Sequence, residues 1–333
     1  MIGFIGLGQM GAPMASRLAD WPDGLIVYDV RPEATRPLAE RGARPAASIA
    51  EVSREASLIC LMVRDDDQVA EVVSAIAAAP AAEPGPRIVA IHSTIRAGTA
   101  PALAAEYEDQ DLRILDAPVS GGFMGAQDGR LAVMVGGSLE AFELCRQPFG
   151  RFADLVLHMG PVGAGTQAKL ARNLLHFVSF TAAFEAQRLA EAAGLDLRKL
   201  AKVVRHSDAV TGGAGSIMLR PTTAPLTPDD PLEGILAHVR DLGEKDLTLA
   251  LRLGEELGVD LPLAQLAAER FGPGLGFPIP NSQDRPGPRR RGRDPDRRGA
   301  ENRRAGRRSA PRARDLPHPL RGLAGRSQAE HAG

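Results

Sequence analysis

Short apolar runs bounded by turn residues recur through the first half of the chain, at residues 2–5, 25–29, 58–63, 87–91 and 112–115. Between them lie Ala-rich stretches with helical spacing, as at 37–41 and 69–79. Short apolar runs that alternate with helical stretches predict a parallel sheet wound on both faces. Residues 131–135, closed by Gly136-Gly137, read as a further strand, and 155–159 as the last. After Gly160 the period changes. Residues 166–193 form one long apolar-periodic stretch ended by Gly194, which predicts a helix. Further helices are expected at 197–206, 232–257 and 262–270, and no strand pattern returns. Gly194 and Gly258 each follow a similar helix end and suit the position just past the last turn, where a left-handed residue is needed. Residues 212–215 and 221–231 read as loops. The expected fold class is α/β: a doubly wound, parallel-rich sheet over 1–162, an all-helical domain over 163–275, and a tail over 276–333.

Composition supports two folded domains. The chain has 333 residues, 44% hydrophobic and 24% charged, which suffices for sizeable cores. No apolar run reaches the roughly 18 residues of a membrane span. Met1 leads straight into Ile2-Gly3-Phe4-Ile5 without a basic leader, so a cytoplasmic protein is expected. Two isolated cysteines, Cys60 and Cys145, make neither a disulfide framework nor a zinc site. Charge changes the picture only at the end of the chain. Residues 281–333 hold 15 of the 40 basic and 6 of the 41 acidic residues, a net +9 against −10 for residues 1–280. That segment lacks Val, Ile, Met, Phe, Tyr and Trp, so it is expected to be disordered and dispensable for turnover.

Three motifs carry chemistry. Gly6-Leu7-Gly8-Gln9-Met10-Gly11 follows a strand and opens a helix. The first glycine allows the tight turn, the second lets a pyrophosphate approach the backbone, and the third lets helix and strand pack closely. Asp29 ends the second strand, where a carboxylate binds ribose hydroxyls and repels a 2′-phosphate, so NAD is favoured over NADP. Arg31 opposes that choice, since it would neutralise a 2′-phosphate. The second motif is Asp116-Ala117-Pro118-Val119-Ser120-Gly121-Gly122, a strand end running into a hydroxyl and two glycines. Backbone N–H groups in such a turn suit a carboxylate. The third is Gly163-Ala164-Gly165 leading into Lys169 and Asn173, four apart and therefore on one helix face. A lysine near a helix start opposes the macrodipole, and burial there lowers its pKa, which suits proton transfer. No Ser-His-Asp arrangement or metal-ligand spacing is legible.

Together these motifs resemble the β-hydroxyacid dehydrogenase family, from Met1 to about Phe271, with Lys245-Asp246 as a fourth matching segment. The resemblance implies a Rossmann domain and an all-helical domain with the active site between them. It implies Lys169 as acid/base, with Ser120, Gly121, Gly122 and Asn173 holding substrate. Val63, Arg64, Thr94 and Lys245 would touch the cofactor beside Gly6, Leu7, Gly8, Gln9, Met10, Gly11 and Asp29. The expected activity is NAD-dependent oxidation of a small β-hydroxy acid of the 3-hydroxyisobutyrate kind. Two alternatives are a reductase of a small aldehyde acid and a non-catalytic dinucleotide-binding protein whose basic tail binds nucleic acid. Lys169 and Asn173 together argue against the non-catalytic reading. The apolar character of the long helix predicts a homo-oligomer.

Overall fold

The computed structural model describes residues 1–79 and 85–278, and Met1–Pro278 form one unit. Its strands are β1 (Ile2–Ile5), β2 (Leu25–Tyr28), β3 (Arg44–Pro45), β4 (Leu58–Leu61), β5 (Arg87–Ile91), β6 (Leu112–Asp116), β7 (Val119–Ser120), β8 (Leu131–Gly136) and β9 (Ala153–Gly160). They form one sheet in the order β3-β2-β1-β4-β5-β6-β8-β7, with β9 beside β8. All pairs from β3 to β6 are parallel. β8 runs antiparallel to β6 and β7 and parallel to β9. Every residue of β1, β4 and β5 is buried, as expected of strands covered on both faces. The two strands absent from the sequence expectation, β3 and β7, have two residues each, too few to show a period.

Helices α1 (Gly11–Ser16), α2 (Arg36–Ala39), α3 (Ile49–Glu55), α4 (Asp66–Ala78), α5 (Thr99–Glu106), α6 (Gly122–Asp128) and α7 (Leu139–Phe149) flank the sheet. Side chains of Ser48, Asp65 and Ser138 cap α3, α4 and α7, each satisfying a donor that the helix start leaves free. The helix expected at 37–41 is instead a 3-10 turn, Pro32–Thr35, running into the four-residue α2. Gly42, at φ +96°, ends it. Two apolar layers enclose the sheet. Phe4, Met14, Leu18, Phe149 and Phe152 lie in one, and Ile59, Val69, Val73 and Ile76 in the other.

The second region holds α8 (Ala164–Ala192), α9 (Leu197–Thr211), α10 (Glu233–Leu257) and α11 (Pro262–Gly274). At 29 residues, α8 is about 44 Å long. Gly194 and Gly258 end α8 and α10 at φ +75° and +69°, as the sequence pattern expected. A 3-10 turn, Gly213–Ile217, occupies part of the expected loop. The Glu185 carboxylate accepts from Leu263 N at 2.7 Å and Ala264 N at 2.9 Å, so α8 caps the start of α11. The fold continues past residue 275. Gly276 O accepts from Leu226 N at 2.9 Å, and the Arg240 guanidinium lies 4.3 Å over the Phe277 ring. An aromatic ring at 277 gives this stretch something to bury. The rest of the expected tail, 279–333, lies outside the described residues. Among the described residues no helix is long and apolar enough to cross a membrane.

Candidate active site

The glycine turn sits where the strand order reverses, at the carboxyl ends of β1, β2 and β4, the usual ligand crevice of such sheets. A cavity of about 530 Å³ opens there, lined by Gly6, Gly8, Gln9, Met10, Gly11, Asp29, Arg31, Val63 and Arg64 among others. The three glycines answer to three different constraints. Gly6 has φ +92°, and a side chain on it would begin 2.2 Å from Met62 O. A side chain on Gly11 would begin 1.9 Å from Gly6 O. Around Gly8 no atom lies within 4 Å of that position, so its backbone faces open space. The turn therefore has room for a pyrophosphate where the motif requires it.

Asp29 closes the far side of this cavity. Its carboxylate accepts from Leu7 N at 2.7 Å and from Arg31 N at 2.9 Å. The Arg31 guanidinium, 58% exposed, approaches the same carboxylate at 3.2 Å. Burial alone would raise the Asp29 carboxyl. The Arg31 and Leu7 N–H groups and the Arg31 guanidinium outweigh it and hold the group below the usual carboxylate range. Asp29 is thus an anion beside the cavity, and Arg31 is engaged with it. Leu7 does not line the cavity with its side chain, which is buried; its backbone orients Asp29.

The second group of residues lies at the end of β6. Gly121 and Gly122 have φ of +134° and +65°, conformations that side chains rarely adopt. The turn they make follows Ser120, which pairs with Ala132 of β8. Lys169 lies one turn into α8 with its side chain buried, and its Nζ donates to Val119 O at 2.6 Å. Burial first, and the nearby Arg172 guanidinium second, push its ammonium below the ordinary lysine value. Asn173 is one turn further on and half-buried. The pieces are a dinucleotide cavity, a glycine turn open to an anion, and a destabilised ammonium against the residue before Ser120.

Comparison with known proteins identifies the assembly. Residues 1–160 match the model of the NAD binding domain of 6-phosphogluconate dehydrogenase. Residues 163–274 match that of the NAD-binding region of NADP-dependent 3-hydroxyisobutyrate dehydrogenase. A 3-hydroxyisobutyrate dehydrogenase of Pseudomonas aeruginosa is 33% identical over 273 residues, covering 81% of this chain and 90% of that protein. The chain belongs to the β-hydroxyacid dehydrogenase family. An uncharacterized oxidoreductase of Mycobacterium tuberculosis is 58% identical over 283 residues, 85% of this chain and 95% of the relative. The solved M. tuberculosis 3-hydroxyisobutyrate dehydrogenase with L-serine is 30% identical at TM-score 0.58, covering 83% of this chain and 94% of that one.

As a β-hydroxyacid dehydrogenase the chain is an NAD(P)-dependent oxidoreductase of a hydroxy acid. Two residues expected at the cofactor are not brought to the cavity. Thr94 is exposed and does not line it. Lys245 lies on α10, which packs on α11 and α8, and pairs with Asp246 at 3.2 Å, 60% exposed. The resemblance, and no feature of the local sequence, placed Lys245 at the cofactor, and the cavity lining in this chain does not include it. Ser93 contributes instead, since its hydroxyl accepts from Val63 N at 2.9 Å and donates to Val63 O at 2.7 Å, fixing that wall. Gln68, whose side chain accepts from Arg64 N at 3.0 Å, also lines the cavity. The Ser93 role is not legible without knowing that β4 lies beside β5. His92, just past β5, is fully buried with its ring near Phe4, Phe149 and Phe152. Burial pushes its pKa down to about 4.

Proposed function

We propose that the chain oxidises a small β-hydroxy acid of the 3-hydroxyisobutyrate kind to its semialdehyde with NAD, Lys169 serving as acid/base. The observation that carries the reading is the buried Lys169 ammonium held on Val119 O, one residue before the Ser120-Gly121-Gly122 turn. The substrate carboxylate rests on the N–H groups of Gly121 and Gly122 and on the Asn173 amide. That places the hydroxyl within reach of Lys169 Nζ, which takes its proton. NAD held at the Gly6–Gly11 turn and Asp29 would supply the hydride acceptor for the carbinol carbon. Burial favours the neutral amine needed for proton removal. Fixed orientation supplies proximity, and the glycine turn supplies electrostatic stabilisation. The solved relative with L-serine, itself a β-hydroxy acid, supports a ligand of this size.

The choice of NAD over NADP rests on Asp29, an anion already engaged with Arg31. A second copy of the chain belongs to this proposal. Between its contact with the sheet and its contact with α10 and α11, α8 exposes Leu174, Phe177 and Phe184. Leu249 and Leu253 of α10 are exposed as well. Both bare faces occur in each chain, so two copies related by a twofold axis can cover each other's. Such an exchange would bury these apolar side chains between the two copies. The direct test is turnover of a panel of three- to five-carbon hydroxy acids with NAD and with NADP. Steady oxidation of a β-hydroxy acid, better with NAD, is expected. No turnover of any β-hydroxy acid, or better efficiency with NADP, would sink the corresponding part.

A further inference from the structure

The first turn of α8 is held by a group that the chemistry above does not use. Asp116, the last residue of β6, is fully buried. Its carboxylate accepts from Gly163 N at 2.6 Å and from Thr166 N at 2.6 Å. A helix start leaves such donors without intrahelical partners, and a buried one without a partner is costly. Glycines make the approach possible. A side chain on Gly136 would begin 2.3 Å from the Asp116 carboxylate, and one on Gly165 would begin 2.6 Å from the Asp116 carbonyl oxygen.

The three residues that follow are pinned in turn. Ala117 O accepts from His92 Nδ1 at 2.7 Å. Pro118 O accepts from Met134 N at 3.1 Å. Val119 O accepts from Lys169 Nζ. His92 makes its contact although its other ring nitrogen, buried, finds no partner among the described residues. Segment 116–119 is therefore bolted to α8 at two points: through the Asp116 side chain at the helix start, and through Lys169 one turn on. The substrate-binding turn begins at the next residue.

We propose that Asp116 is a positioning residue that fixes the Lys169 ammonium against the Ser120-Gly121-Gly122 turn. The proposal rests on the reading of Lys169 as acid/base. Proton transfer needs Nζ within hydrogen-bond reach of a hydroxyl whose carboxylate sits on that turn. Asp116 sets how far α8 stands along β6 and how it is rotated, and Lys169 is three residues beyond Thr166. An asparagine at 116 offers one acceptor oxygen where two donors converge, and it turns an NH₂ toward a backbone N–H.

The test is Asp116→Asn in the full chain. NAD affinity should be unchanged, because the glycine turn lies on other strands. Turnover should fall about 10²-fold, the effect of a misplacement of about 1 Å, with little change in KM for the hydroxy acid. Lys169, one of four lysines in the chain, should be acylated several-fold faster by a water-soluble reagent, read by mass spectrometry without substrate. In the unaltered chain the Gly163 and Thr166 amide hydrogens should exchange as slowly as those of β6. That measurement needs no variant and decides the matter if Asp116→Asn does not fold. Parental turnover in a folded variant would overturn the proposal. So would parallel loss of NAD binding and turnover, unchanged Lys169 labelling, or fast exchange at both amides. Labelling and exchange are read without turnover, so a failure of the acid/base reading, tested by Lys169→Met, leaves them interpretable.

Discussion

In the sheet region Phe4, Met14, Leu18, Phe149 and Phe152 are fully buried in one layer, and a second layer closes the opposite face. Beyond β9 the buried hydrophobic residues among those described are Ala190, Leu236, Leu261 and Leu275. Leu174, Phe177 and Phe184 stand 68%, 59% and 61% exposed on α8. Burying a large apolar side chain stabilises by about 1.5–3 kcal/mol, so the first region closes its own core while the second leaves most of that stabilisation unrealised in a single chain. The difference separates two parts of the activity. The dinucleotide cavity is built wholly from the self-sufficient region. Lys169, the proposed proton-transfer group, sits on the helix that joins the regions.

The sharpest way to separate the two is Lys169→Met, which acts at the joint. General acid–base catalysis is worth about 10²–10⁴ in rate, or about 3–5 kcal/mol, and turnover should fall by that factor while NAD affinity stays. The variant should also lose the acidic limb of the oxidation pH profile. The proposed proton removal needs neutral Lys169, and burial lowers its pKa, so the parental rate should rise with pH through a value below the ordinary lysine one of about 10.4. The sign for stability follows. The unfolded chain holds this proton more tightly, so the buried charge destabilises at neutral pH, and that penalty is relieved as pH rises between the folded and unfolded values. Activity within a few-fold of the parent would take Lys169 out of the mechanism.

Core truncation tests the comparison itself. Phe149→Ala should destabilise the sheet region by about 3–5 kcal/mol, read from denaturant midpoints. Phe177→Ala should cost little in a monomer. A large cost that grows with protein concentration would place that ring under a second chain. Replacing Phe177 and Phe184 together by Asp should give a monomer in sedimentation that still binds NAD but turns over poorly. Loss of NAD binding in that variant would break the division between the regions. The smallest effect is expected at Asp29. Asp29→Ser removes a charge and leaves weaker ribose contacts, so the NAD over NADP preference should narrow about tenfold, about 1.4 kcal/mol. An unchanged ratio in steady-state kinetics would remove Asp29 from cofactor choice.

Much of this was legible along the chain because it depends on near neighbours. Apolar runs of four or five residues specify buried strands, and the glycine spacing at 6, 8 and 11 specifies a turn whose constraints are local. Gly194 and Gly258 stop helices through their own backbone freedom. The same holds for Lys169 and Asn173 sharing a face, since helical periodicity alone places them. What only the tertiary structure decided involves partners distant in sequence. Asp116 accepts from Gly163, at the start of a helix, across 47 residues, and Ser93 ties down Val63 across 30 residues. His92, the residue after β5, is core, because β5 lies between β4 and β6 and places that ring beside those of Phe4, Phe149 and Phe152. Whether Lys245 of α10 meets the cofactor is likewise a matter of how helices far apart in sequence pack, since α10 packs on α11 and α8 rather than along the glycine turn's own strands. Local patterns encode which element forms; which elements meet depends on the summed packing of the whole chain, and no single stretch of sequence carries that sum.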